Sequence, residues 1–211
     1  MATLGDFSDH TIFSGALPSQ ISIVRKMGFA VLRKALMNIP EASIMLPCRE
    51  RAQQLAQAGS KFTPQLTNII GAIDGKFASR ERDAGSGTIK KSKYYCTHYK
   101  SHGVKQLCLF LFDGTIGMVS LNSPGSFHYS KVYKTMKVLE RMTAHGLLEC
   151  KIVGDTAFGV SPVMIRPLSE TELASLPEES ADLARMLNGF ISGLRVPSEW
   201  GIGGLTKSGQ S

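Results

Sequence analysis

Asp113-Gly114 separates two apolar runs, Val104 to Phe112 and Thr115 to Leu121, and such a dipeptide between such runs is the strongest short-range signal for a β-hairpin. A shorter apolar run, Ile69 to Ile73, precedes them at strand length. The three runs therefore predict three strands that alternate in direction. Beyond them, Lys131 to about His145 places Val132, Met136, Leu139 and Met142 on one helical face, with Ser130 able to cap the start and Gly146 to end it. A helix of that length acts as a crossover, so the short run Lys151 to Gly154 is expected to lie parallel to one of the earlier strands. The expectation is an α/β fold with a mixed sheet flanked by helices.

The remainder of the chain adds helices. Ile21, Val24, Met27, Val31, Leu32 and Ala35 recur at helical spacing, and residues 50–57 are rich in helix formers before Gly59. Residues 1–62 thus read as a helical N-terminal region, and 63–211 as the domain that carries the sheet. After Pro162 to Pro167 comes an acidic segment, Glu170 to Asp182, then a last helical region from about Ala181. Pro197 and the glycines 201, 203 and 204 weaken that region, by roughly 1 kcal/mol per glycine relative to alanine.

The same topology gives three acids a common destination. Asp74 closes the first apolar run and Asp155 follows the strand after the crossover, while Glu199 lies in the last helical region. The hairpin returns the loop Asn122 to Ser130 to the Asp74 end and leaves Asp113 at the opposite end. Asp74, that loop and Asp155 are expected to share one rim. Gathered carboxylates repel one another unless a cation neutralises them, and hard divalent ions such as Mg²⁺ prefer such oxygen ligands. A pair of ions about 3.5 to 4 Å apart can activate water or a 3′ hydroxyl and stabilise the leaving oxygen of a phosphodiester. Each acid alone also fits a turn, a cap or a first-turn glutamate.

A formal net charge of +7 points to a polyanionic partner. Arg80, Arg82, Lys90, Lys91, Lys93 and Lys100 crowd one stretch together with Tyr94, Tyr95, His98, Tyr99 and His102. Such a stretch suits either a solvated loop or contact with a nucleic-acid backbone. No run approaches the roughly 20 apolar residues that span a bilayer, and the N-terminus lacks the marks of a secretory signal. Four cysteines without paired spacing favour a reduced intracellular compartment.

Four blocks in order, Gly71-Ala72-Ile73-Asp74-Gly75, Asn122-Ser123-Pro124-Gly125-Ser126-Phe127-His128, Gly154-Asp155-Thr156-Ala157-Phe158, and Arg195 with Glu199 and Gly201, resemble the PIF/Harbinger transposase-derived nucleases of the DDE superfamily endonuclease group. The resemblance covers about residues 40 to 205. It implies a ribonuclease H-like fold, a DNA nuclease centre dependent on Mg²⁺ or Mn²⁺, and nuclear action, often with a separate Myb-like DNA-binding partner; self-association, as a homo-oligomer, is a further expectation that the resemblance does not supply. Asp74, Asp155 and Glu199 match the family's metal-ligating, catalytic acids. The family's loop usually reads His-Asp-Ser where this chain reads His128-Tyr129-Ser130, and a neutral tyrosine offers no anionic charge to a hard cation.

Other chemistries lack support. Cys96, His98 and His102 have no second Cys/His pair at finger spacing. Gly201-Ile202-Gly203-Gly204 does not follow a strand within a βαβ unit, and Ser126 near His128 lacks a hydrolase elbow. Two functions remain: a metal-dependent DNA endonuclease, with the basic stretch and His128 on DNA, or a catalytically inactive transposase-derived domain that binds DNA or protein. His128 equally suits a structural hydrogen bond.

Overall fold

The computed structural model describes residues 18–39, 42–79 and 91–208. The chain divides into two compact units, residues 1–43 with 203–211, and residues 44–202. In the first, the helical spacing of apolar residues is realised as α1 (Pro18–Leu36). In the second, α2 (Arg49–Phe62) leads into β1 (Ile69–Ser79). A 3-10 turn over Lys91–Lys93, the short β2 (Tyr95–Cys96), and the long pair β3 (Ser101–Leu111) and β4 (Ile116–Pro124) follow. Among the described residues, no helix is long and apolar enough to cross a membrane.

The hairpin forms where the dipeptide placed it, with Gly114 at φ 83°. Asp113 accepts a hydrogen bond of 2.9 Å from Arg51 Nε and anchors α2 to the turn. β1 pairs antiparallel with β3, and β3 with β4. The crossover delivers β5 (Lys151–Val153) parallel to β1, and β6 (Met164–Ile165) adds a further parallel strand that carried no sequence signal. Among the described residues the sheet has six strands, with β3 joined to β1, β1 to β5 and β5 to β6, while β2 and β4 both pair with β3. This is an α/β, ribonuclease H-like sheet flanked by helices.

The crossover itself differs from the single helix expected over 131–145. It is split into α3 (Tyr129–Met136) and α4 (Val138–Ala144), with Lys137 between them in the left-handed region at φ 50°. On one straight helix Val138 would point about 200° away from Met136. The break turns α4 so that Val138 and Met142 are buried along with Val132 and Met136. The cap is also not Ser130. His128 occupies that position, and its Nδ1 lies 2.9 Å from Ser130 Oγ and accepts from the Ser130 N–H.

Two clusters of buried side chains sandwich the sheet. One joins Ile73, Leu107, Leu109 and Met118 to Val132, Met136 and Met142 of α3 and α4. The other joins Ile69, Ala72 and Val153 to Ile191 and Leu194 of α6 (Glu178–Ser208). Before α6, the acidic segment forms α5 (Glu170–Ala174), opened by a capping box between Ser169 and Glu172. Arg166 and the Ser169 N–H hold the Glu172 carboxyl well below the usual carboxylate range. The last helix begins at Glu178 and continues through Pro197, because burial of Ile191 and Leu194 against the sheet outweighs the weak propensity of its C-terminal half.

Candidate metal centre

Side chains alternate across a strand, so Asp74 shares the face of Ala72, which packs under α6, while Ile73 and Gly75 face α3. Ala72 pairs with Val153. Two residues beyond that pair, Asp74 on β1 and Asp155 just past the end of β5 come near enough for their charges to act on one another. α6 crosses the same face and presents Arg195 and Glu199 one turn apart, beyond the buried Ile191 and Leu194. The three acids that the sequence singled out are thus brought to one face, from β1, the end of β5 and α6.

Asp74 is not at the end of its strand as expected. β1 runs on through Ser79, paired with β3 all the way to Gly103. The loop after β4 consequently meets β1 further along: Ser123 and Pro124 lie opposite Lys105 and Val104, the partners of Phe77 and Ala78. The shared rim holds for Asp74 and Asp155, whereas the Pro124 loop stands three to four residues beyond them along the strand.

The acids are held by short-range contacts. Asp74 Oδ1 accepts from the Gly75 N–H at 2.8 Å, and Asp155 Oδ1 accepts from the Thr156 N–H at 2.6 Å. Burial pushes the Asp74 carboxyl above its ordinary pKa, the Gly75 N–H and Arg195 pull it down, and Glu199 and Asp155 push it up. Its cross-strand partner Cys108 is buried, and its thiol is pushed up to about 11 by burial and then by the Asp74 charge.

Arg195 stands among these acids. Its Nη1 is 3.7 Å from Asp155 Oδ1 and its Nη2 is 4.0 Å from Glu199 Oε1. Hard carboxylate oxygens from three elements suit Mg²⁺ or Mn²⁺ in donor chemistry. Among the described residues, however, no three of the His, Cys, Asp and Glu side chains are drawn together closely enough to hold an ion. The donor types fit the cation, and a guanidinium lies between two of them.

Tyr129 occupies the other side of β1. A Cβ added to Gly75 would stand 2.3 Å from Tyr129 Cε1, so the ring packs against the strand where only glycine leaves room. The Lys105 ammonium sits 4.9 Å from the ring centroid and donates to the Phe127 carbonyl at 2.6 Å. Lys105 is 7% exposed, a buried lysine concealed in the sequence by the apolar run around it. The Tyr129 hydroxyl is itself buried without a hydrogen-bond partner among the described residues. Burial, then Tyr99 and Asp74, push its phenol well above the ordinary value, so it stays neutral.

The basic residues divide. Arg80, Arg82 and Lys90 lie outside the described residues, and of Lys91 only the backbone is described. Lys93 and Lys100 are exposed, and the Lys93 carbonyl accepts from Ser126 Oγ at 2.7 Å, which ties the basic turn to the loop after β4. Lys100 sits in a tight turn at φ 48°. His128 is exposed and spends Nδ1 on its cap. The exposed Tyr99, next to Lys100, stacks on Phe77 with ring centroids 4.5 Å apart.

A family model described as DDE superfamily endonuclease matches residues 74–208, a span that opens on Asp74 and contains Asp155 and Glu199. No curated protein and no solved structure matches the chain.

Proposed function

The chain belongs to the DDE superfamily endonuclease family, and on that premise we propose that it is a divalent-metal-dependent DNA endonuclease domain derived from a PIF/Harbinger-type transposase. The observation that carries this reading is the convergence of Asp74, Asp155 and Glu199 on one face of the sheet, from three separate elements. In this reading those three carboxylates hold Mg²⁺ or Mn²⁺, which when bound supplies Lewis-acid activation of the nucleophile and charge stabilisation at the leaving oxygen. Arg80, Arg82, Lys90, Lys91, Lys93, Lys100 and His128 grip the DNA backbone, in keeping with a net charge of +7. Nuclear action, a Myb-like DNA-binding partner and self-association belong to the same proposal.

One observation favours a second reading, a catalytically inactive domain that binds DNA or protein. Tyr129 replaces the family's loop aspartate and is packed against Gly75 beside a buried lysine. Plasmid relaxation separates the two. The proposal expects nicking by the native chain in Mg²⁺ or Mn²⁺ and none in EDTA. A native chain that is inert while Tyr129→Asp cuts identifies a disarmed nuclease, and inertness of both, with DNA retained, selects the binding domain.

A further inference from the structure

The arginine between the acids is unusual in how it is held. The Arg195 side chain is 15% exposed, and its Nε is buried with no hydrogen-bond partner among the described residues. Its two ion-pair distances, 3.7 and 4.0 Å, are longer than direct N–H to oxygen hydrogen bonds. Arg166 provides the contrast within the same chain. It is 14% exposed and its Nε is likewise buried without a partner among the described residues, but its Nη1 and Nη2 are locked onto Glu172 by two hydrogen bonds of 2.9 and 2.6 Å.

A buried guanidinium is costly unless it is paired, and a group of carboxylates is costly unless a cation stands among them. Arg195 and the acids relieve each other electrostatically, yet the geometry does not lock them together. Its charge acts on all three, since Asp74 also feels it. Resting on the metal-site reading above, we propose that Arg195 is the resident counter-ion of the carboxylate cluster: it keeps Asp155 and Glu199 converged while no divalent cation is bound, and yields both carboxylates when one binds. Arg195 is in this sense a positioning residue, and cation binding is an exchange of one guanidinium for one metal ion.

The test is Mg²⁺ binding by calorimetry and thermal melting in EDTA, for the native chain and Arg195→Met. Exchange predicts that Arg195→Met melts lower than the native chain in EDTA and binds Mg²⁺ more tightly, by roughly tenfold or more, because the competing charge is gone. Adding Glu199→Gln to Arg195→Met is expected to restore part of the lost melting temperature. Equal or weaker Mg²⁺ binding by Arg195→Met, or an unchanged melting temperature in EDTA, overturns the exchange while leaving the nuclease reading in place. Absence of binding by both chains overturns the exchange and the metal site together. Should Arg195→Met not fold, the native chain still decides: its Arg195 Nε–H resonance is expected to move on addition of Mg²⁺, and an unmoved resonance overturns the proposal.

Discussion

Asp74→Asn is expected to lower metal-dependent cleavage by about 10³-fold while leaving the melting temperature unchanged or raised. The activity term follows from removing a charge that a bound cation needs, a loss of about 4 kcal/mol at about 1.4 kcal/mol per decade. The stability term has the opposite sign. The Asp74 carboxyl is pushed above its ordinary pKa, chiefly by burial, so the folded chain binds its proton more tightly than the unfolded chain does. Ionisation at neutral pH therefore costs stability, and a neutral amide of the same shape removes that cost. Asp113→Asn serves as the control: it removes the ion pair with Arg51 at the hairpin, away from the acids, and is expected to leave cleavage intact.

Gly71→Ala carries the largest expected effect on the fold. A Cβ at Gly71 would stand 2.2 Å from the Phe110 carbonyl oxygen and 3.0 Å from Leu111 Cα, and both are backbone atoms of the neighbouring strand. Nothing there can rotate away, so β1 and β3 must separate within the core. The cost is expected near the top of the range for overpacking, about 3 kcal/mol, or roughly 6 to 12 °C in melting temperature for a chain of this size. Gly193→Ala makes the same chemical change in α6, where nothing lies within 4 Å of the new Cβ, and is expected to stabilise by up to about 1 kcal/mol. Opposite signs in thermal melts of the two variants would tie the effect to the strand contact.

The parts of the architecture that local chemistry dictates were legible in the sequence. Asp113-Gly114 fixed the hairpin, and the length of the crossover fixed β5 parallel to β1, so the meeting of Asp74 with Asp155 followed. What was hidden depends on tertiary burial. Lys137 has no preference for the left-handed region, and it adopts it where a straight helix would turn Val138 away from the core that holds Val132 and Met136. Pro197 argues against a helix, yet α6 runs through it under the pull of its buried face. β6 is two residues long and cannot announce itself by periodicity.

The acids were legible as residues, and their surroundings less so. Arg195 was visible as part of the block with Glu199 and Gly201, but its place beside Asp155 depends on how α6 lies on the sheet. Lys105 was invisible, because a single lysine in an apolar strand reads as an outward side chain. Instead it turns inward under Tyr129. That pair shows how the chain accommodates tyrosine at this loop position: the ring fills the space that Gly75 leaves, and a cation lies against it.

The measurement closest to the central claim is Mn²⁺ binding by calorimetry, comparing the native chain with Asp74→Asn combined with Asp155→Asn. The account predicts saturable binding by the native chain that the double variant loses while remaining folded. Equal binding by both, or none by the native chain, would contradict a metal centre built on these carboxylates.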